Sequence, residues 1–78
     1  DIRQAVFARD RWRCQLEAVD HAGPCAGRLT YHHRRKASQG GLFTIENGAS
    51  LCLRHNCELE ADADLAALAV TLGLVIRR

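Results

Sequence analysis

The chain has 78 residues, a formal net charge of +2 and 47% hydrophobic residues, enough for a single small domain over 1–78 and no more. A chain this short buries only about 60% of the surface that it exposes when unfolded, so a metal or a crosslink is expected to help a marginal core. No apolar run is long enough to span a membrane, nothing resembles a signal peptide, and aromatics are limited to Phe7, Trp12, Tyr31 and Phe43, so a cytoplasmic setting is expected.

Residues 2–12 read as a helix, with Ile2, Val6 and Phe7 on one face and arginines mostly on another. The stretch 14–28 carries Gly23-Pro24 and Gly27 and reads as a loop between Cys14 and Cys25. Residues 29–33 alternate apolar and polar side chains and include Thr30 and Tyr31, which favour a strand. Residues 37–48 contain Ser38, Gly40, Gly41, Asn47 and Gly48 and read as a long irregular loop, of a kind that small domains keep mainly for function. A short strand is expected over 49–53, and helical signal resumes around Arg54. Asp62 or Asp64 can cap a final helix bearing Leu65, Leu68 and Leu72, which Gly73 stops. Residues 74–76 then form a short extended tail. The fold class is α+β: a helix, a two-stranded unit, then helices. The chain does not begin with Met, as expected of a fragment or a processed chain.

Charge is unevenly spread. Arg3, Arg9, Arg11, Arg13, Arg28, Arg34, Arg35 and Lys36 outnumber the acids in the first half, whereas residues 37–64 hold one cation, Arg54, against five acids. Nearly all the cations are Arg, whose planar fork suits phosphate. The pattern points to nucleic acid, and it also suits a solvated surface helix.

Cys14 and Cys25 come from one loop, and Cys52 with His55 makes a C-x-x-H pair in another. Four such ligands, two from each knuckle, satisfy tetrahedral zinc. Cys57 is a fifth candidate that competes with His55 for the fourth position. Two disulfides in a secreted module, or plain buried thiols, are the other readings of these cysteines. The absence of a signal peptide favours metal.

His32 and His33 lie at the end of the first strand, where neighbouring side chains point to opposite faces. One can ligate a metal while the other handles a proton. Arg34, Arg35 and Lys36 follow, where a phosphate backbone would pass. On Tyr31-His32-His33-Arg34-Arg35, Gly40-Gly41, Asn47, Leu51-Cys52 and His55-Asn56, the segment 29–56 resembles the HNH endonuclease motif, also called the ββα-metal or His-Me finger. The lead-in Arg9-Asp10-Arg11-Trp12-Arg13-Cys14-Gln15 is similar to that of many phage and bacterial members, and Gly73-Leu74-Val75-Ile76-Arg77 resembles the tail of phage-encoded ones.

The resemblance implies a small ββα-metal fold with flanking helices and a structural zinc, and a DNA endonuclease of weak intrinsic sequence specificity. It implies that His32 and Asn56 ligate a catalytic ion, that His33 is the general base, and that Asn47 restrains the loop and orients the base. Arg28, Arg34, Arg35 and Lys36 would contact DNA phosphates. With imidazole and amide ligands the catalytic ion is expected to be manganese, nickel, cobalt or magnesium. Packaging or restriction machinery, in a bacterial or phage-infected cell, is the implied protein partner. Two positions depart from the family pattern: Glu17 stands where a second Cys is common, so Cys25 takes over, and His55 replaces the second Cys of the later knuckle. Pairing Cys52 with Cys57 instead would move the last motif position from Asn56 to Glu58. A zinc-knuckle DNA-binding module without catalysis is the alternative function.

Overall fold

Asp1 opens the first helix, its carboxylate accepting a hydrogen bond from Gln4 N at 2.8 Å. In the computed structural model, which describes residues 1–77, this helix α1 spans Ile2–Arg9 and buries Val6 and Phe7. It ends before Trp12, short of the sequence expectation, because Arg11 and Trp12 take left-handed backbone angles, φ 61° and 57°. Such angles cost a non-glycine residue about 1–3 kcal/mol. They are held by Trp12 N donating to Phe7 O at 2.7 Å and by the Trp12 ring, tilted on Phe7 at 5.7 Å. Asp10 pins the turn from the other side, accepting from Ser50 N and from the Arg9 guanidinium, each at 2.9 Å. The reversal delivers Cys14 and Leu16 into the core.

The segment 14–28 is a loop with one 3-10 turn, Asp20–Ala22. It is anchored, with Leu16 fully buried and Ala22 nearly so. Strand β1 (Leu29–His33) then pairs antiparallel with β2 (Gly48–Cys52), in a register that sets His33 opposite Gly48, His32 opposite Ala49 and Leu29 opposite Cys52. The second strand begins at Gly48, one residue earlier than expected, since Gly48 is the partner of His33. A side chain there would not fit: an added Cβ would lie 2.7 Å from Val6 Cγ2 and 2.9 Å from Tyr31 Cζ.

Helix α2 (Leu53–Ala61) follows β2 without a loop, with Cys52 as its N-cap. Helix α3 (Ala63–Thr71) is capped by Asp62, whose Oδ1 accepts from Asp64 N and Leu65 N at 3.0 and 3.1 Å. That selects Asp62 over Asp64 as the cap. After Gly73 (φ 78°), Leu74 turns inward, and Ile76 N donates to Arg34 O at 2.7 Å, tying the tail to the end of β1.

Over the described residues the molecule is thus α+β, a two-stranded antiparallel sheet with three α-helices. The core gathers Cys14, Leu16, Ala22, Ala49, Leu51, Cys52, Leu65, Ala69 and Leu74 around the strands and the start of α2. Two of these are cysteines and three are alanines, so aliphatic bulk is scarce. Among the described residues, no helix is long and apolar enough to cross a membrane.

Candidate functional site

Cys14, Cys25, Cys52 and His55 converge, with one donor atom from each lying within 4.8 Å of all the others. His55 Nδ1 is 3.3 Å from Cys14 Sγ, 3.3 Å from Cys52 Sγ and 3.6 Å from Cys25 Sγ. A tetrahedral zinc with ordinary Zn–S and Zn–N bonds has N···S edges of about 3.6 Å. The four donors therefore fit a metal of that size, and the ion they suit best is zinc. His55 is fully buried, and its Nε2 donates to the carbonyls of Ala22 and Gly23, at 2.9 and 3.1 Å. That donation fixes the tautomer, leaving the Nδ1 lone pair aimed at the sulfurs. The backbone also prepares the thiols: Leu16 N donates to Cys14 Sγ and His55 N to Cys52 Sγ, each at 3.4 Å.

Burial and the neighbouring thiols shift all three cysteines. Burial, then hydrogen bonding with Cys52 and Cys14, pushes the Cys25 thiol up to about 12, although the residue as a whole is exposed. Burial likewise raises Cys14. At Cys52 burial acts the same way but is outweighed by hydrogen bonds from the backbone at His55 and Ala26 and from the two neighbouring thiols, so its pKa falls. Three thiolates this close do not coexist without a positive ion between them. All four cysteines are free; Cys57 is exposed and outside the cluster, so His55 provides the fourth donor.

Beside this cluster, His32 and His33 from β1 share a cavity of about 240 Å³ with Lys36 and with Asn56 and Glu60 from α2. His32 Nε2 donates to Leu74 O at 2.7 Å, which leaves Nδ1 with its lone pair. Burial chiefly lowers the His32 pKa, against the raising influence of its hydrogen bonds with Leu74 and Asn56, so the ring is held neutral. Neutral imidazole is the form that binds metal. Asn56 gives its Nδ2 to Thr30 Oγ1 at 2.8 Å, and a hydrogen bond also joins it to His32. The His33 ring meets Tyr31 edge-on, with centroids 4.9 Å apart and planes at 77°, and Phe43 lies 6.2 Å away.

Asn47 sits across the hairpin from the residues after His33. Its Oδ1 accepts from Arg35 N at 2.9 Å, its Nδ2 donates to Arg35 O and Leu42 O at 3.1 and 2.9 Å, and its own carbonyl accepts from Arg34 N at 2.8 Å. Gly41 completes the clamp, because a Cβ there would collide with the Arg35 carbonyl. The loop that looked irregular is thus pinned at both ends. Tyr31 adds a third tie, donating its hydroxyl to Thr44 O at 2.6 Å.

The basic run divides. Arg34 is half-buried and donates to Gly73 O at 2.8 Å and to Glu46 O at 3.2 Å, so it clamps the tail and the loop. Arg35 and Arg28 make no side-chain hydrogen bond among the described residues, and Lys36 pairs with Glu60 at 3.3 Å. Glu58, the alternative last motif position, faces Arg54 at 2.8 Å and does not line the histidine cavity. Three contributors escaped the sequence reading: the Leu74 carbonyl, Thr30 and Glu60. Only Glu60 carried a signal, its position one helical turn after Asn56. No family model matches the chain, and no curated protein or solved structure matches it either.

Proposed function

We propose that the chain is a metal-dependent HNH endonuclease that hydrolyses DNA phosphodiester bonds, with β1, β2 and α2 as its ββα-metal unit and Cys14, Cys25, Cys52 and His55 as its structural zinc site. One observation carries the reading: His32 and His33, adjacent on β1, and Asn56, distant in sequence on α2, line one cavity. A zinc-knuckle module that only bound DNA would have no need of that convergence.

In this reading His32 and Asn56 hold a divalent ion, which when bound supplies positive charge to the scissile phosphate and the departing oxygen. His33 accepts the proton of the attacking water. Tyr31 packs edge-on against the His33 ring and limits its swing, and Asn47 fixes the backbone two residues further on. Leu74 holds the His32 tautomer through its carbonyl. Arg28, Arg35 and Lys36 contact backbone phosphates, which gives affinity and salt dependence with little sequence preference. Arg34, its guanidinium occupied by carbonyls, serves the fold.

The test is nicking of supercoiled plasmid by zinc-loaded protein supplied with Mn²⁺ or Mg²⁺, wild type beside His33→Ala. Loss of a general base lowers the rate by about 10²–10⁴-fold, while zinc content and helicity stay unchanged. Equal cleavage by the variant would remove His33 as the base. Failure of the wild type to nick while it still binds DNA would favour the non-catalytic module.

A further inference from the structure

We propose that Glu60 is a third protein ligand of the ion held by His32 and Asn56, and that Lys36 is the counter-ion it releases on metal binding. The inference rests on the nuclease reading and deepens it. Among the described residues Glu60 is the only carboxylate lining the histidine cavity, whose other polar walls are Tyr31, His32, His33, Lys36 and Asn56. It follows Asn56 by four residues on α2, so the two side chains rise from one helix face. Its Oε2 is 3.3 Å from Lys36 Nζ, and both side chains are more than half exposed. An ion pair that open to water is worth little and is readily exchanged. A cation already stands at the carboxylate, as expected of a metal ligand in the absence of its metal.

Charge supports the same assignment. With His32 and Asn56 alone, a divalent ion would be bound by two neutral groups beside Lys36. Glu60 supplies the missing negative charge and a hard oxygen donor, which suits magnesium and manganese better than imidazole and amide alone. Glu58 is not a substitute, being paired with Arg54. Lys36, once displaced, is free for the DNA backbone, so metal binding and phosphate binding favour each other.

The experiment is a Mn²⁺ titration of zinc-loaded protein, with free Mn²⁺ read by its electron paramagnetic resonance signal and no DNA present. Glu60→Gln should weaken Mn²⁺ binding by at least about tenfold, the lower end of what perturbing a metal's protein environment costs. Lys36→Met should tighten binding, and should have no effect in a Glu60→Gln background. Zinc content and helicity serve as folding controls, which the exposed Glu60 and Lys36 should pass. Unchanged affinity in Glu60→Gln, with weakened affinity in His32→Ala, would overturn the role of Glu60 and leave the nuclease reading standing. Unchanged affinity in Lys36→Met would overturn the counter-ion exchange. No Mn²⁺ binding by the wild type would overturn both this inference and the reading beneath it.

Discussion

Both ring nitrogens of His55 are engaged, one toward three sulfurs and the other toward two carbonyls. A thiol at this position could serve the first role but not the second. His55→Cys should therefore keep zinc bound while leaving the Ala22 and Gly23 carbonyls without their donor, at about 1–3 kcal/mol. Zinc stoichiometry and a denaturant melt check both halves; an unchanged melt would mean that the carbonyl contacts contribute nothing. The sequence points to metal at Cys14, Cys25 and Cys52, and the two-residue gap after Cys52 favours His55 as the fourth ligand, with Cys57 as the alternative. Helix geometry decides between them. Cys52 caps α2 and accepts from His55 N, so His55 stands over the cap, whereas Cys57 lies about 200° further round the helix. Burial confirms the difference, His55 being enclosed and Cys57 exposed.

At the scale of elements, the hairpin and the loop inside it do most of the positioning. Its strands were legible because alternation and β-branched or aromatic residues mark 29–33, and because Gly-rich sequence bounds the loop. That Asn47 restrains the loop was implied by the resemblance alone; which backbone groups it holds, those of Arg35 and Leu42 across the hairpin, was not legible. Nor was the division of Arg34 from Arg35 and Lys36, which arises only when the tail returns to offer the Gly73 carbonyl. Gly48 gives this scale a test. Its Cα is covered by Val6 and the Tyr31 ring, so Gly48→Ala forces α1 and β1 apart or rotates Tyr31. Overpacking of this kind costs about 1–3 kcal/mol. Because Tyr31 also borders His33 and holds Thr44, the variant should lose nicking activity along with stability. Chemical denaturation of the zinc-loaded variant checks the first effect and plasmid nicking the second. Unchanged values in both would show that Tyr31 shifts freely.

For the whole molecule, the question is what replaces a large core. The buried cluster contains Leu16, Leu51, Leu65 and Leu74 but little else of comparable bulk, and two of its members are the ligands Cys14 and Cys52. An ion at the cluster ties the 14–25 loop to the junction of β2 and α2, so its binding free energy is largely folding free energy. A strong chelator should abolish the cooperative melt. The pH dependence follows from the thiols. Cys25, pushed up to about 12, and Cys14, raised by burial, both carry protons near neutrality when no metal is bound. If the metal-free chain unfolds, its thiols return to about 8.5 and are still protonated below pH 8. Either way zinc must displace at least two protons, so its affinity should rise by at least about a hundredfold for each pH unit between 6 and 7.5. Competition with a chromophoric chelator at pH 6.0, 6.75 and 7.5 measures the slope. Fewer than two protons released per zinc would contradict a site built on Cys14, Cys25 and Cys52.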